Sequence, residues 1–180
     1  MPKHLKYIGF IVFLVFTHAS HGRIGENLST IKHRLGKHLS FDRNEHRATW
    51  SLGKNREVYY IVEVDENLVS IAERIEPSQG HRLSKEHIDQ FVSRQLEQIQ
   101  SLAKQIQDLS MDTYESGSTV PFAGQGFPVP SPGTAFLFPK LQILIVADYG
   151  ESPSVEVISS KWVQLETKQG VKTPKQTLNF

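Results

Sequence analysis

The stretch "REVYYIVEVDENLVSIAERI", residues 56–75, constrains the fold more than any other segment, because it predicts an antiparallel hairpin. Its first part alternates in the two-residue period of a strand and is rich in β-branched and aromatic residues. One face carries Val58, Tyr60, Val62 and Val64, and the other carries Tyr59, Ile61 and Glu63. Asp65-Glu66-Asn67 supplies turn residues, and "LVSIAERI" returns as the partner strand. The fold therefore has to include an antiparallel sheet.

Two neighbouring segments extend this hairpin into a compact half, residues 23–77. The segment "IGENLSTIKHRLG" predicts a helix, because Ile24, Leu28, Ile31 and Leu35 have helical spacing. Gly36 follows where a glycine that ends a helix belongs. After the polar turn "KHLSFDRNEH", the segment "RATWSL" predicts a short strand. We therefore predict a short helix followed by an antiparallel meander of three strands.

A long amphipathic helix is predicted from Lys85 to Leu109, near the start of the second half, residues 78–166. A seven-residue repeat, apolar except at one glutamine, is formed by Ile88, Val92, Gln95, Ile99, Leu102, Ile106 and Leu109. This seam at residues 88–109 is compatible with a homodimeric coiled coil. It is also compatible with packing on the protein's own sheet. Phe91, Leu96 and Ala103 widen the apolar face beyond a strict seam, which favours the second interpretation.

The segment 113–135 is rich in proline and glycine and is predicted to be an irregular loop. Its aromatic residues are unusual for a solvated linker, so the loop either packs on its own domain or offers an aromatic surface to a partner. Because aromatic side chains anchor protein interfaces, the candidate binding residues are Tyr114, Phe122, Phe127 and Trp162. Two C-terminal strands follow, in "LQILIVADY" and "SVEVISSKWVQLE", and residues 167–180 are predicted to be a flexible tail.

The N-terminal segment, residues 1–22, has the three-part pattern of a secretory signal peptide. Lys3 and Lys6 form a basic head, and an apolar run from Tyr7 to Phe16 is followed by small and polar residues. This run is about half the roughly 20 residues that a membrane-spanning helix needs. Cleavage is expected after Ala19 or Gly22. We therefore predict a periplasmic or extracellular protein that does not insert into the membrane after cleavage.

Charge and cysteine content exclude several classes of function. The chain has 20 basic and 19 acidic residues, and without residues 1–22 it has 18 basic residues and a formal net charge of −1. No basic patch is visible, so we expect no nucleic-acid binding. The absence of cysteine excludes cysteine proteases, thiol redox chemistry, iron–sulfur clusters and thiolate zinc sites. About 158 residues can still form a stable core without disulfides.

No motif for catalysis, for a cofactor or for a metal is present in the sequence. There is no Gly-x-Ser-x-Gly, phosphate-binding loop, dinucleotide fingerprint or His-Glu-x-x-His motif. The histidines lie in polar stretches without metal-pair spacing, although His38 and His46 with Glu45 are compatible with a cluster in space. Glu63 and Glu73 lie on partner strands, and two facing carboxylates would be compatible with a small hydrolase. Alternating charged residues on a strand more often form its solvated face.

Residues 24–76 resemble small exported bacterial proteins of uncharacterised function. More distantly, they resemble the SmpA/OmlA outer-membrane assembly lipoprotein module and the β-lactamase-inhibitor-protein fold. The resemblance depends on Gly25, Ile31, Arg34, Leu35 and Gly36. It implies a binding module that uses a sheet face and carries no cofactor. The chain has no cysteine for a lipid anchor, and Lys37-His38-Leu39 occupies positions where the assembly module usually has a proline.

Together these features predict an α+β fold. It has a short helix, an antiparallel strand meander, a long amphipathic helix packed on the sheet, and two C-terminal strands. The predicted domain spans residues 23–166. The residues favour an exported, non-enzymatic protein-interaction module whose partner is an envelope or secreted protein. A small hydrolase built on a carboxylate pair or a histidine cluster is one alternative, and a structural homodimer is the other.

Overall fold

The computed structural model describes residues 24–53, 55–103 and 109–168, and there the chain is an α+β protein dominated by antiparallel sheet. The predicted fold class is confirmed. The helices are α1 (Leu28–Leu35), α2 (Lys85–Ala103) and α3 (Ser160–Lys168). The strands are β1 (Ser40–Asp42), β2 (Arg47–Leu52), β3 (Val58–Val64), β4 (Ser70–Pro77), β5 (Asp112–Glu115), β6 (Thr119–Phe122), β7 (Gln125–Pro128), β8 (Gly133–Phe138), β9 (Ile143–Asp148) and β10 (Ser154–Ser159).

Three predictions fall partly or wholly outside the described residues. The signal peptide (1–22) lies outside them, as does the predicted continuation of the long helix through residues 104–108. The predicted tail begins at residue 167, whereas α3 continues to Lys168, and the rest of that tail lies outside the described residues.

The main sheet has eight antiparallel strands in the order β1-β2-β3-β4-β10-β9-β8-β5, and β6 and β7 form a separate hairpin. The first half of the chain supplies β1 to β4, which form the predicted meander preceded by one short edge strand. The two halves meet where β4 pairs with β10, with Arg74 opposite Glu156. One continuous sheet therefore joins both halves of the chain.

One side of the sheet, here called the helix face, carries α1 and α2. Asn27 caps α1 by accepting a hydrogen bond from the Ser29 backbone N–H at 2.9 Å, and Gly36 ends the helix at a φ of 79°. Trp50 and Tyr60 are buried beneath the helices, and the Trp50 ring nitrogen donates to the Gly36 carbonyl at 3.0 Å. Apolar burial on this side forms the larger of the two cores.

The apolar seam of α2 packs on its own sheet. Ile88, Phe91, Val92 and Ile99 are buried within the core of the helix face, and Leu109 packs against it. Over the described part of α2, this side of the helix is therefore occupied and is not available for a coiled coil with a second copy. Ile106 of the predicted seam lies outside the described residues, and so does the side chain of Leu102.

The opposite side of the sheet, here called the hairpin face, is covered over only part of its width. The β6–β7 hairpin and α3 pack over β8, β9 and β10 and enclose a second core. The buried members of this core include Val120, Phe127, Leu144 and Ile158. On β2 and β3 this face carries polar side chains, which are half-buried.

The segment 113–135 is not the irregular loop that its prolines and glycines predict. It contains most of β5, all of β6 and β7, and the start of β8. Ala123 and Gly124 have φ values of 50° and 80°, which is the left-handed pair that a two-residue hairpin turn requires. Pro121 is tolerated because the hairpin has only two strands. Two further differences concern short elements. Strand β1 lies within the segment that was predicted to be a polar turn, and helix α3 occupies the segment in which the last strand was predicted to continue.

Candidate functional site

Phe122 and Phe127, two of the predicted binding residues, are core residues. Their side chains are 3% and 5% exposed, and their rings meet edge to face with centroids 5.7 Å apart. They face each other across the hairpin and pack on the sheet with Val120 and Val129. The prediction that these two rings form an exposed contact surface is therefore wrong, because hairpin formation directs them inward. The alternative, a segment that packs on its own domain, is confirmed.

Tyr114 and Trp162 lie at the border of the same core. Both are half-buried and pack against the buried residues of the hairpin face. Tyr114 is on the edge strand β5, and Trp162 is in the first turn of α3. All four predicted residues thus belong to one side of the sheet. Among them, Trp162 extends to charged groups, because its ring nitrogen donates to Glu63 Oε2 at 2.6 Å.

Glu63 and Glu73 do not form a carboxylate pair. Glu63 lies opposite Ala72, and Glu73 lies opposite Val62, so the two carboxylates project from different faces of the sheet. The cause is the register of the hairpin, in which the two positions are one residue out of step. The prediction of a hydrolase site built on this pair is wrong. His38 packs edge-on with Phe41 and Trp50, at centroid distances of 6.0 Å, rather than with another histidine.

A charged cluster lies on the hairpin face where β4 meets β10. Arg74 Nη1 donates to Glu156 Oε1 at 3.1 Å, and Arg74 Nε lies 3.4 Å from Glu76 Oε2. The Arg74 and Glu156 side chains are each about one-fifth exposed. Burial raises the pKa of Glu156 above its ordinary value, although the Arg74 guanidinium opposes this shift. Burial also acts to lower the pKa of Arg74, but Glu156, Glu76 and Glu63 outweigh it and raise that pKa.

Helix α3 adds a second row of side chains to this cluster. Trp162 and Glu166 are one helical turn apart, and both are half-buried beside β3. Burial raises the pKa of Glu166, and the nearby charge of Glu63 raises it further. Glu63 thus accepts a hydrogen bond from the indole of Trp162 and also lies near the carboxyl group of Glu166.

These side chains surround a small depression of about 60 Å³, here called the open-face depression. Its lining includes Arg47, Ile61, Glu63, Arg74, Glu156 and Trp162. Ile61 forms an apolar floor and is only 6% exposed. Arg47 is already paired with Glu45, and Lys161, at the start of α3, is paired with Asp65. Around the depression, the four glutamates Glu63, Glu76, Glu156 and Glu166 lie near Arg74, which is itself paired with Glu76 and Glu156. The formal charge of this group of side chains is therefore negative.

The volume and the lining residues of the depression are more typical of a protein–protein contact than of an enzyme active site. Pockets that enclose small molecules usually measure about 300–1,000 Å³, several times this volume. No group of three or more His, Cys, Asp or Glu side chains in residues 24–53, 55–103 and 109–168 is arranged to hold a metal ion. The depression offers carboxylates, two guanidinium groups and one indole, which bind by charge, hydrogen bonding and stacking.

The other face of β4 holds a buried polar network that the sequence analysis did not identify. Glu73 is 1% exposed, and its carboxylate accepts hydrogen bonds from Ser70 Oγ at 3.1 Å and Gln95 Nε2 at 3.3 Å. Burial raises the pKa of Glu73 to about 7. A sequence signal for this network does exist, because Gln95 is the single polar residue in the otherwise apolar repeat of α2.

Comparison with known proteins gives no match. No protein-family model, no curated protein and no solved structure matches the chain. The resemblance of residues 24–76 to exported binding modules therefore stays a prediction. Among the described residues, no helix has both the length and the apolar character to cross a membrane.

Proposed function

We propose that this protein is an exported, non-enzymatic interaction module that binds another protein through the uncovered part of its hairpin face. The observation that carries this proposal is the open-face depression, in which Trp162, Arg74, Glu63 and Glu156 surround a buried isoleucine. Tryptophan and arginine are the residue types most enriched where interfaces gain their binding energy. The depression also lies beside half-buried polar strands, which leaves a flat margin on which a partner can rest.

The charge balance of the depression indicates a basic partner. Four glutamates lie around one arginine, Arg74, which is paired with two of them, so the local field attracts cations and repels acidic segments. A depression of about 60 Å³ is close to the volume of two water molecules, so it suits the head of one side chain. We expect a lysine or arginine of the partner to enter it, with the flanking peptide lying across β2 and β3.

The proposal of export depends on residues 1–22. A short apolar run between a basic head and small residues is typical of a cleaved leader. Mass spectrometry of the protein recovered from its native host tests this directly. A mature N-terminus at Ser20 or Arg23 would support export, whereas an uncleaved chain in the cytosol would contradict it.

The binding surface is tested by a matched pair of charge reversals in the tagged full-length protein. Glu63→Lys places a cation in the depression, whereas Glu97→Lys makes the same change on the exposed side of α2. After crosslinking in the native host, we expect the wild type and Glu97→Lys to recover the same partner. Glu63→Lys should recover at least tenfold less while keeping the wild-type circular dichroism spectrum, although the loss of the bond from Trp162 lowers its thermal unfolding midpoint. Equal recovery by both variants would contradict the proposed surface.

A further inference from the structure

A carboxylate is buried at the centre of the contact between α2 and the sheet. Glu73 lies on β4 under α2, with 1% of its surface exposed, opposite Val62 on one side and Val157 on the other. Ile88, Phe91, Val92 and Ile99 of α2 are buried in the apolar core on this face of the sheet. An ionised carboxylate in such surroundings is costly unless hydrogen bonds compensate for the lost water.

Donors from three elements converge on this carboxylate. Ser70 on β4 donates to one oxygen and Gln95 on α2 donates to the other, at 3.1 Å and 3.3 Å. The hydroxyl of Tyr60, on β3, also hydrogen-bonds to Glu73. Gln95 supplies the single polar contact between the apolar repeat of α2 and this carboxylate. These three hydrogen bonds favour the ionised carboxylate and act to lower the pKa of Glu73, but burial under α2 outweighs them and raises it.

Two further charged groups face Glu73 from the start of the chain. Glu26 precedes α1 and repels a negative charge on Glu73, and Arg34 on α1 attracts it. Arg34 is already committed, because its Nη1 and Nη2 atoms donate to the two oxygens of Glu26 at 2.7 Å and 2.6 Å. The pair is close to neutral overall, so it does not supply the full counter-charge that an ionised Glu73 would need.

We propose that Glu73 and Gln95 form a proton-dependent latch, which holds α2 on the sheet more tightly in acidic than in neutral or alkaline solution. When α2 lifts, water reaches Glu73 and its carboxylate becomes an ordinary exposed one. The closed latch therefore binds a proton more tightly than the open one. The proposed latch is inferred from the hydrogen bonds and burial of Glu73 and does not depend on the proposed binding partner.

The direction of the pH effect follows from proton linkage. In the closed state the pKa of Glu73 is raised from 4.5 to about 7, so the closed state is favoured below that range. As the pH rises from 4.5 towards 7, opening releases a proton and becomes more favourable, by up to about tenfold per pH unit. Above that range both states are ionised, and the opening equilibrium becomes constant.

Amide hydrogen exchange of the full-length protein at pH 5, 6, 7 and 8, corrected for intrinsic exchange rates, tests the latch. In the wild type, we expect the opening equilibrium of α2 amides to rise about fortyfold between pH 5 and pH 7. Glu73→Gln should abolish this dependence, and the matched control Glu97→Gln, on the exposed side of α2, should retain it. Amides that exchange only through global unfolding should share this dependence, because Glu73 also ionises when the whole protein unfolds, so the latch is read from α2 amides that open at a lower free energy than global unfolding.

Several outcomes would overturn the latch. These are a wild-type α2 whose opening is independent of pH, or an unchanged pH dependence in Glu73→Gln. If Glu73→Gln does not fold, carbon-13 titration of the wild-type glutamate carboxyls decides the question. The latch requires one carboxyl to titrate near neutral pH and the α2 amides to shift with the same midpoint. A set of carboxyls that all titrate near pH 4.5 would overturn it.

Discussion

Glu73 and Arg74 are consecutive residues of β4, and the strand sends their charges to opposite faces of one sheet. Glu73 enters the helix-face core, and Arg74 borders the open-face depression. The sequence "AER" shows two charged neighbours and gives no sign that one is buried in a core. Burial is decided here by α2, which covers one face, and by the absence of a similar cover over β2 and β3 in the described part of the chain.

The role of Phe122 is a prediction at the residue scale. Phe122→Ala removes a ring that is 3% exposed and packed edge to face against Phe127, so it leaves a cavity in the second core. We expect the free energy of unfolding to fall by about 3–5 kcal/mol. Leu39→Ala is the control, because Leu39 is 61% exposed and its loss should change stability by less than about 0.5 kcal/mol. Urea denaturation measures both, and wild-type stability in Phe122→Ala would show that the ring is not a core residue.

At the scale of elements, the periodicity of apolar residues predicts the helices and strands that depend on local sequence alone. The alternation in residues 58–64 gave β3, and the seven-residue repeat gave α2 together with the side of it that packs. The sequence did not predict the β6–β7 hairpin, because Pro121 and Gly124 are residues that usually interrupt strands. In the structure, Gly124 lies in a left-handed turn with Ala123, and this turn connects two strands, one of which contains Pro121. The site itself depends on pairing across 82 residues, between Arg74 and Glu156, which no local pattern indicates.

The packing of α2 gives a prediction at this scale. Ile99 is 4% exposed in the helix-face core, so Ile99→Glu places a charge where no counter-ion is available among the described contacts. We expect a loss of about 3–5 kcal/mol or more, with an unfolded or partly folded product rather than a folded monomer. Gln100→Glu introduces the same charge one residue away, on the exposed side of α2, and should fold normally. Circular dichroism and size-exclusion chromatography distinguish these outcomes, and a folded, monomeric Ile99→Glu would indicate a seam between copies.

At the scale of the whole molecule, β4 and β10 join the two halves of the chain in the middle of one sheet. The described residues of the two halves are therefore joined by the β4–β10 pairing, and both halves contribute buried residues to the helix-face core. Neither half can bury its apolar face without the other. We expect the two halves to unfold in one cooperative transition. A charge change in either half should therefore alter a single free energy of unfolding for the whole protein.

Two buried carboxylates with opposite shifts predict the dependence of this stability on pH. Burial acts to raise the pKa of Asp65, but the Lys161 ammonium and the N–H groups of Val69 and Asn67 set it below its ordinary value. Its stabilising contribution is therefore present above pH 4 and is lost as the pH falls further. The pKa of Glu73 is raised to about 7, so its contribution is full in acid and declines, by at most about 3 kcal/mol, as the pH rises from 4.5 to 7.

Wild-type stability should therefore be greatest in mildly acidic solution. Urea denaturation between pH 3 and pH 9 measures the profile. Glu73→Gln should remove the decline towards neutral pH, and Asp65→Asn should reduce the decline below pH 4. A wild-type profile that rises steadily to pH 8 would show that Glu73 does not carry a raised pKa in the folded protein.

The two tryptophans of the chain lie on opposite faces of the sheet, so intrinsic tryptophan fluorescence can report on each face. Trp50 is 2% exposed in the helix-face core, whereas Trp162 borders the open-face depression beside Glu63. With Trp50 replaced by phenylalanine, the intrinsic fluorescence would come from the depression alone, and with Trp162 replaced it would come from the core alone. Events at the binding surface and events under the helices can therefore be followed separately, by the colour and quenching of native emission, without any attached dye.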